Sequence, residues 1–201
     1  MTREGPEAAS EIVARIGRSL PPHARLHDLV DLLGDRAGGI LLAVIAIPAI
    51  IPVPGVPLGA VFGTVLTVIA CRMVRAGARP GLPRWLGQIH LKAPAIMLLS
   101  RRGPALLRPI EHRLRPRASL LLAGSIRPPL ALVMALMGIL IALPIPFGNT
   151  LPGFAVILMG LGLALGDGLA VLGALILAAL ATGVSVALGW AAVAGVAQLL
   201  A

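Results

Sequence analysis

Charge is scarce in this chain. Only 12% of its 201 residues are charged while 58% are hydrophobic, and the mean hydropathy is +0.97. Residues 37–71, 128–166 and 168–201 hold no charge at all, and Asp167 is the only charged residue beyond Arg127. A soluble globule is excluded, because too little polar surface remains to cover it. The chain reads as an integral membrane protein.

Cysteine is almost absent as well. Cys71 stands alone, which rules out a disulfide framework and a thiolate metal site. There is no H-E-x-x-H, no Cys-His cluster, no P-loop, no G-x-S-x-G and no dinucleotide-binding glycine turn in a βαβ setting. The histidines, His23, His27, His90 and His112, all lie in charged surface segments. No metal, cofactor or catalytic residue is expected. Only Asp35 and Asp167 could supply acid or base chemistry to the membrane part, so an enzyme is not expected either.

The charges that exist are unevenly placed. Residues 1–36 carry five arginines against six acids, and residues 72–127 carry twelve Lys or Arg against Glu111 alone. With Asp167 in the remainder, the shares are −1, +11 and −1, so one central stretch supplies the net charge of +9. Basic loops flanking apolar spans mark the cytoplasmic side. The N-terminus and the central stretch are therefore expected in the cytoplasm, on anionic lipid, and no nucleic-acid partner is expected.

What the chain does have is a pattern used twice. Gly39-Ile40-Leu41-Leu42-Ala43 opens an apolar arm that runs into a proline-rich knot holding Pro48, Pro52, Pro54 and Gly55. Gly138-Ile139-Leu140-Ile141-Ala142 runs into a second knot, Pro144-Ile145-Pro146-Phe147-Gly148-Asn149-Thr150-Leu151-Pro152. A second arm follows each knot, Leu58 to Val74 and Gly153 to Leu165. Prolines this dense cannot continue a helix, since each lacks an N–H and forces its predecessor into extended geometry. Broken backbone within hydrocarbon survives only where protein or trapped water satisfies it, and paired breaks in two halves point to a binding site or pathway.

Length bears on how the arms sit. A straight helix through residues 37–71 would reach about 52 Å, too long for one crossing of roughly 30 Å of hydrocarbon and too short for two full spans. Short arms meeting at the knot, as broken or re-entrant helices, fit better than short tilted spans. The expected fold is all-α. Amphipathic surface helices occupy 1–36, a first membrane repeat 37–74, and a basic in-plane segment 75–127. A second repeat occupies 128–166, and a C-terminal transmembrane helix 168–201. In that last segment Gly168 to Gly189 is one ordinary span ending at an interfacial Trp190.

Candidate functional residues follow from this layout. The knots would line a pathway or binding site through Pro48, Pro52, Pro54, Gly55, Pro144, Pro146, Phe147, Gly148, Asn149 and Pro152. Asn149 is the most informative polar residue, either a ligand or ion contact or a cap for the arm that follows. Asp35, Arg36 and Asp167 read either as anchors at helix ends or as a charged mouth. Gly59-x-x-x-Gly63 and Gly162-x-x-x-Gly166 allow close helix packing, which would join the two units or join two protomers into a homodimer.

Leu33-Gly34-Asp35-Arg36-Ala37, the Pro48 to Gly55 knot, Ala142-Leu143-Pro144-Ile145-Pro146-Phe147-Gly148-Asn149 with Leu151-Pro152, and Gly166-Asp167-Gly168 together resemble the ExoD family of bacterial inner-membrane proteins. The likeness covers nearly the whole chain, and the Leu-Pro-Ile-Pro-Phe-Gly-Asn string is its most specific part. Membership implies a link to exopolysaccharide synthesis and to tolerance of alkaline conditions, with no established substrate, cofactor or catalytic residue. The first knot departs from expectation, reading Ala49-Ile50-Ile51 where a more polar or Asn-containing string would stand. Two functions stay open. One is a transport-type protein moving an ion or small envelope precursor past the knots; the other is a non-transporting scaffold for exopolysaccharide machinery.

Overall fold

The computed structural model describes residues 24–51, 57–76, 82–91, 97, 105, 109, 113–114, 117, 122, 127–143 and 148–200. Helix α1 (Leu26–Leu33) leads through a 3-10 turn (Gly34–Arg36) into α2 (Ala37–Ile50), and α3 spans Leu58–Ala76. A short α4 (Arg84–Gly87) precedes α5 (Arg127–Ala142), α6 (Thr150–Leu165) and α7 (Gly168–Leu200). Three stretches, Leu26–Ile50, Leu58–Ala76 and Gly168–Gly195, are long and apolar enough to cross a membrane, while α5 and α6 are shorter apolar helices. The protein is therefore an all-helical membrane protein among its described residues.

The first element is amphipathic and lies on the central segment. Val30 and Leu33 are buried while Asp31 and Leu32 face out. The backbone N–H of Leu26 donates to Ile89 O at 2.9 Å and that of Leu91 to Ala24 O at 2.8 Å, fastening α1 to the chain around α4. His27 closes the same contact, with Nδ1 3.2 Å from Gly87 O and Nε2 3.0 Å from Asp28 Oδ1. The histidine thus turns toward Asp28 and α4.

Four helices form the membrane core, and their pairing is crossed. The first arm of one unit packs mainly on the second arm of the other: α2 lies against α6, and α3 against α5. Contact within each unit, α2 on α3 and α5 on α6, is thinner. Both crossed pairs are antiparallel, since Gly39 meets Gly160 while Ile50 meets Gly153, and Thr67 meets Gly138 while Gly59 meets Ile141. The ends of α2 and α5 and the starts of α3 and α6 consequently lie at one end of the bundle.

Glycines decide where these helices touch. A Cβ built on Gly63 would stand 2.6 Å from Ala142 N and 2.7 Å from Gly138 O, and one on Gly138 would stand 2.8 Å from Thr67 N. A Cβ on Gly39 would collide with the carbonyl of Gly160, and one on Gly160 with the carbonyl of Gly39. Without side chains at these crossings the backbones approach directly, as close-packed membrane helices do. The Thr67 hydroxyl serves the α3–α5 crossing, donating to Gly63 O at 2.8 Å and lying 3.4 Å from Ala135 O.

The sequence reading placed two prolines inside the knots, and the structure corrects both. Pro48 stands within α2, which continues to Ile50. Pro152 is buried in the first turn of α6, where a proline gives up only an N–H that has no helical acceptor. Helices α2 and α5 end at Ile50 and Ala142, and α3 and α6 begin at Leu58 and Thr150.

Helix α7 runs unbroken for 33 residues, about 50 Å. Its inner face is built from small residues, Ala170, Ala174, Ala178, Ala181 and Ser185, all buried. Leu169, Leu172, Ile176 and Leu180 face outward, at 46% to 58% exposure. Large aliphatic residues outside and alanines inside suit a helix whose solvent is lipid. Past Ser185, no described residue lies within 4 Å of where a Cβ would stand on Gly189 or Gly195, and Trp190 is 78% exposed.

Candidate functional site

Both polar regions of the bundle lie at its ends. At the knot end, Asn149 occupies the N-cap position of α6 in helical geometry (φ −79°, ψ −20°), yet its side chain makes no capping hydrogen bond. The capping role open in the sequence is therefore not the one its side chain plays. Its amide nitrogen lies against Gly59 of α3, beside the Ile141 carbonyl of α5. Its Oδ1 is buried with no hydrogen-bond partner, a costly condition for an amide oxygen. Gly148 beside it is buried. Pro52, Pro54, Gly55, Pro144, Pro146 and Phe147 lie outside the described residues.

Charges collect at the opposite end. Asp35, Gly39, Met73, Arg127, Leu163 and Gly166 line a cavity of about 100 Å³ together with Leu122. The start of α2, the end of α3, the start of α5 and the end of α6 thus converge there. Arg36 adjoins this region in the 3-10 turn, half-exposed. Asp35 and Arg36 both have polar partners of their own. Arg127 was not among the residues singled out from sequence, although its position at the last charge before an uncharged run marked it as a helix start.

Asp167 belongs to the same end but does structural work. It is only 3% exposed, and its Oδ1 accepts the backbone N–H groups of Leu169 at 3.0 Å and Ala170 at 3.1 Å. This caps α7, and the carboxylate also favours the positive end of that helix. Gly166 allows the turn, standing left-handed at φ 76° as the last residue of α6's cap. The Gly168 N–H donates to Arg117 O at 2.8 Å, so the central segment is tied to the same corner. Asp167→Ala should lower the stability of the purified protein by about 2 kcal/mol, read as an earlier thermal unfolding transition by circular dichroism. An unchanged transition would contradict the cap.

The glycine motifs play unlike parts. Gly59 and Gly63 seat α3 on α5, joining the two units, whereas Gly162 packs on Ala170 and Val171 of α7. Gly63 corresponds in role to Gly160, which the sequence reading missed. The available signal was the repeated Gly-Ile-Leu string at Gly39 and Gly138: each of these glycines faces one second-arm glycine. Among the described residues no group of three His, Cys, Asp or Glu could hold a metal ion.

The architecture is thus that of a polytopic membrane protein with two kinked hairpins packed across one another and a long additional helix. Residues 9–187 match the family described as "Exopolysaccharide synthesis, ExoD", and the chain belongs to that family. It is similar to Protein ExoD of Rhizobium meliloti, 31% identical over 175 residues that cover 84% of this chain and 72% of the relative. It is also similar to an uncharacterized protein of Synechocystis sp., 24% identical over 149 residues, covering 74% of this chain and 70% of the relative. No solved structure matches it.

Proposed function

We propose that the protein is a non-enzymatic membrane protein of transport type that serves exopolysaccharide synthesis or envelope homeostasis at alkaline pH. It moves an ion or a small envelope precursor across the bacterial inner membrane. The observation that carries this reading is Asn149: an unpartnered amide oxygen buried where both hairpins turn. Folding alone gives no return for such a group, whereas a passing cation or hydrogen-bond donor would use it. Helices α2, α5 and α6, at 14 to 16 residues or about 21 to 24 Å, are shorter than the roughly 30 Å of hydrocarbon, while α3, at 19 residues, comes close to its full depth. On this reading the two units are repeats and their hairpins re-enter from the charged side.

One observation favours the scaffold instead. The glycine crossings close the core between the charged cavity and Asn149, so transport requires them to part, while a scaffold does not. Flux into proteoliposomes tests the choice: protons, Na⁺ or K⁺ under an imposed pH gradient, and lipid-linked sugars in parallel. Movement of either class supports transport, and movement of neither supports the scaffold.

Orientation is a separate expected outcome. With Cys71 replaced by serine, cysteines introduced at Arg84 and Arg113 should resist a membrane-impermeant thiol reagent added to intact cells and react after the cells are opened. Labelling from outside would reverse the topology.

A further inference from the structure

We infer that the groove between α3 and α5 near the charged end is a binding site for one anionic phospholipid of the surrounding leaflet. The groove has a volume of about 640 Å³ and is lined by Thr67, Val68, Cys71, Arg72, Arg75 and Leu132, among others. Two chemistries meet in it at different depths. Arg72 and Arg75 lie three residues apart on the last turns of α3, both exposed, at the end where Arg127 and the charged cavity also sit. Farther from that end the walls are apolar and lipid-facing, with Val68 38% and Leu132 60% exposed.

Each part selects a part of the ligand. Arg72 and Arg75 bring two positive charges with hydrogen-bond donors to headgroup depth, which favours an anionic phospholipid over a zwitterionic one. The apolar wall suits an acyl or isoprenoid chain running along the seam. The Thr67 hydroxyl does not compete for the phosphate, since it is already donated to Gly63 O. Free phosphate would leave the apolar wall unused, so the occupant is a lipid. The site does not depend on transport: a scaffold would hold the same lipid, and the test below measures no flux.

Cys71 is exposed in this groove, and it is the chain's only cysteine. Its rate of labelling by N-ethylmaleimide therefore reports occupancy in the full-length protein. In neutral detergent micelles, added phosphatidylglycerol should slow labelling severalfold, whereas phosphatidylcholine and inorganic phosphate should not. Arg72→Gln with Arg75→Gln should raise the phosphatidylglycerol needed for half-protection by roughly twentyfold, at about fivefold per basic residue. The matching pair of lysine substitutions should restore most of the protection, and Arg84→Gln, away from the groove, should leave it intact. Equal protection by phosphatidylcholine, protection by inorganic phosphate alone, or protection that survives loss of both arginines would overturn the site. So would an equal loss in Arg84→Gln, which would mean diffuse surface charge. Should the double glutamine variant not fold, the contrast between the two lipids in the native protein still decides.

Discussion

Gly160→Ala is expected to destabilise the protein by about 3 kcal/mol, the upper end of what overpacking costs in a closely packed core. The new methyl group would run into the Gly39 carbonyl and come within 3.3 Å of the Ala43 Cβ and backbone N. Backbone on a facing helix cannot rotate away as a side chain can, so α2 and α6 must separate along their length. Gly63→Ala should behave alike, since its methyl would meet the Ala142 nitrogen at 2.6 Å and the Gly138 carbonyl at 2.7 Å. Gly189→Ala supplies the opposite sign. Nothing lies within 4 Å of its Cβ position, and alanine in an open helix is favoured over glycine by roughly 0.8–1.0 kcal/mol. Thermal unfolding of the three variants in one detergent should therefore fall, fall, and stay or rise. Equal shifts for all three would contradict the crossed packing.

The same contrast shows what a sequence can reveal about such a fold. Uncharged runs were enough for an all-helical membrane protein, because the length of apolar chain needed to cross hydrocarbon is a local property. The partners of the arms were not legible. A helix in lipid shows no polar face opposite a buried one, so nothing along α2 or α5 states which neighbour it meets. Only glycine could have told, and with 24 glycines in the chain the Gly-x-x-x-Gly spacing pointed to Gly162 where Gly160 makes the crossing. Pro48 and Pro152 were overread for a related reason. A proline's effect depends on whether the hydrogen bond it removes was there to be made, and in the first turn of α6 it was not. Asp167 looked from sequence like a member of the charged mouth, and its role as the cap of α7 depends on a turn geometry that spacing alone does not fix. Asn149 stood out as the polar group within the second knot, but its contact with Gly59 joins residues ninety positions apart.

Asn149→Ala carries the largest expected functional effect. Losing one buried hydrogen-bonding contact to a transported species should reduce its flux about tenfold. The same change removes an acceptor that has no partner, so stability should hold or rise, in contrast to what deletion of a satisfied polar group does. That combination separates a pathway contact from a packing device. A packing role would lower stability together with any activity, and Gly160→Ala provides the reference for how a purely structural loss looks.

The most direct test reconstitutes the native protein and Asn149→Ala side by side in proteoliposomes at matched density. It follows proton, Na⁺ and K⁺ movement after a pH jump, and uptake of lipid-linked sugars, alongside the unfolding transition of each protein. The account predicts a measurable native flux of one of these species and a flux about tenfold lower in the variant, at unchanged or higher stability. Equal flux in the two proteins, or no flux of any species in either, would contradict it and leave the two hairpins as the frame of a scaffold.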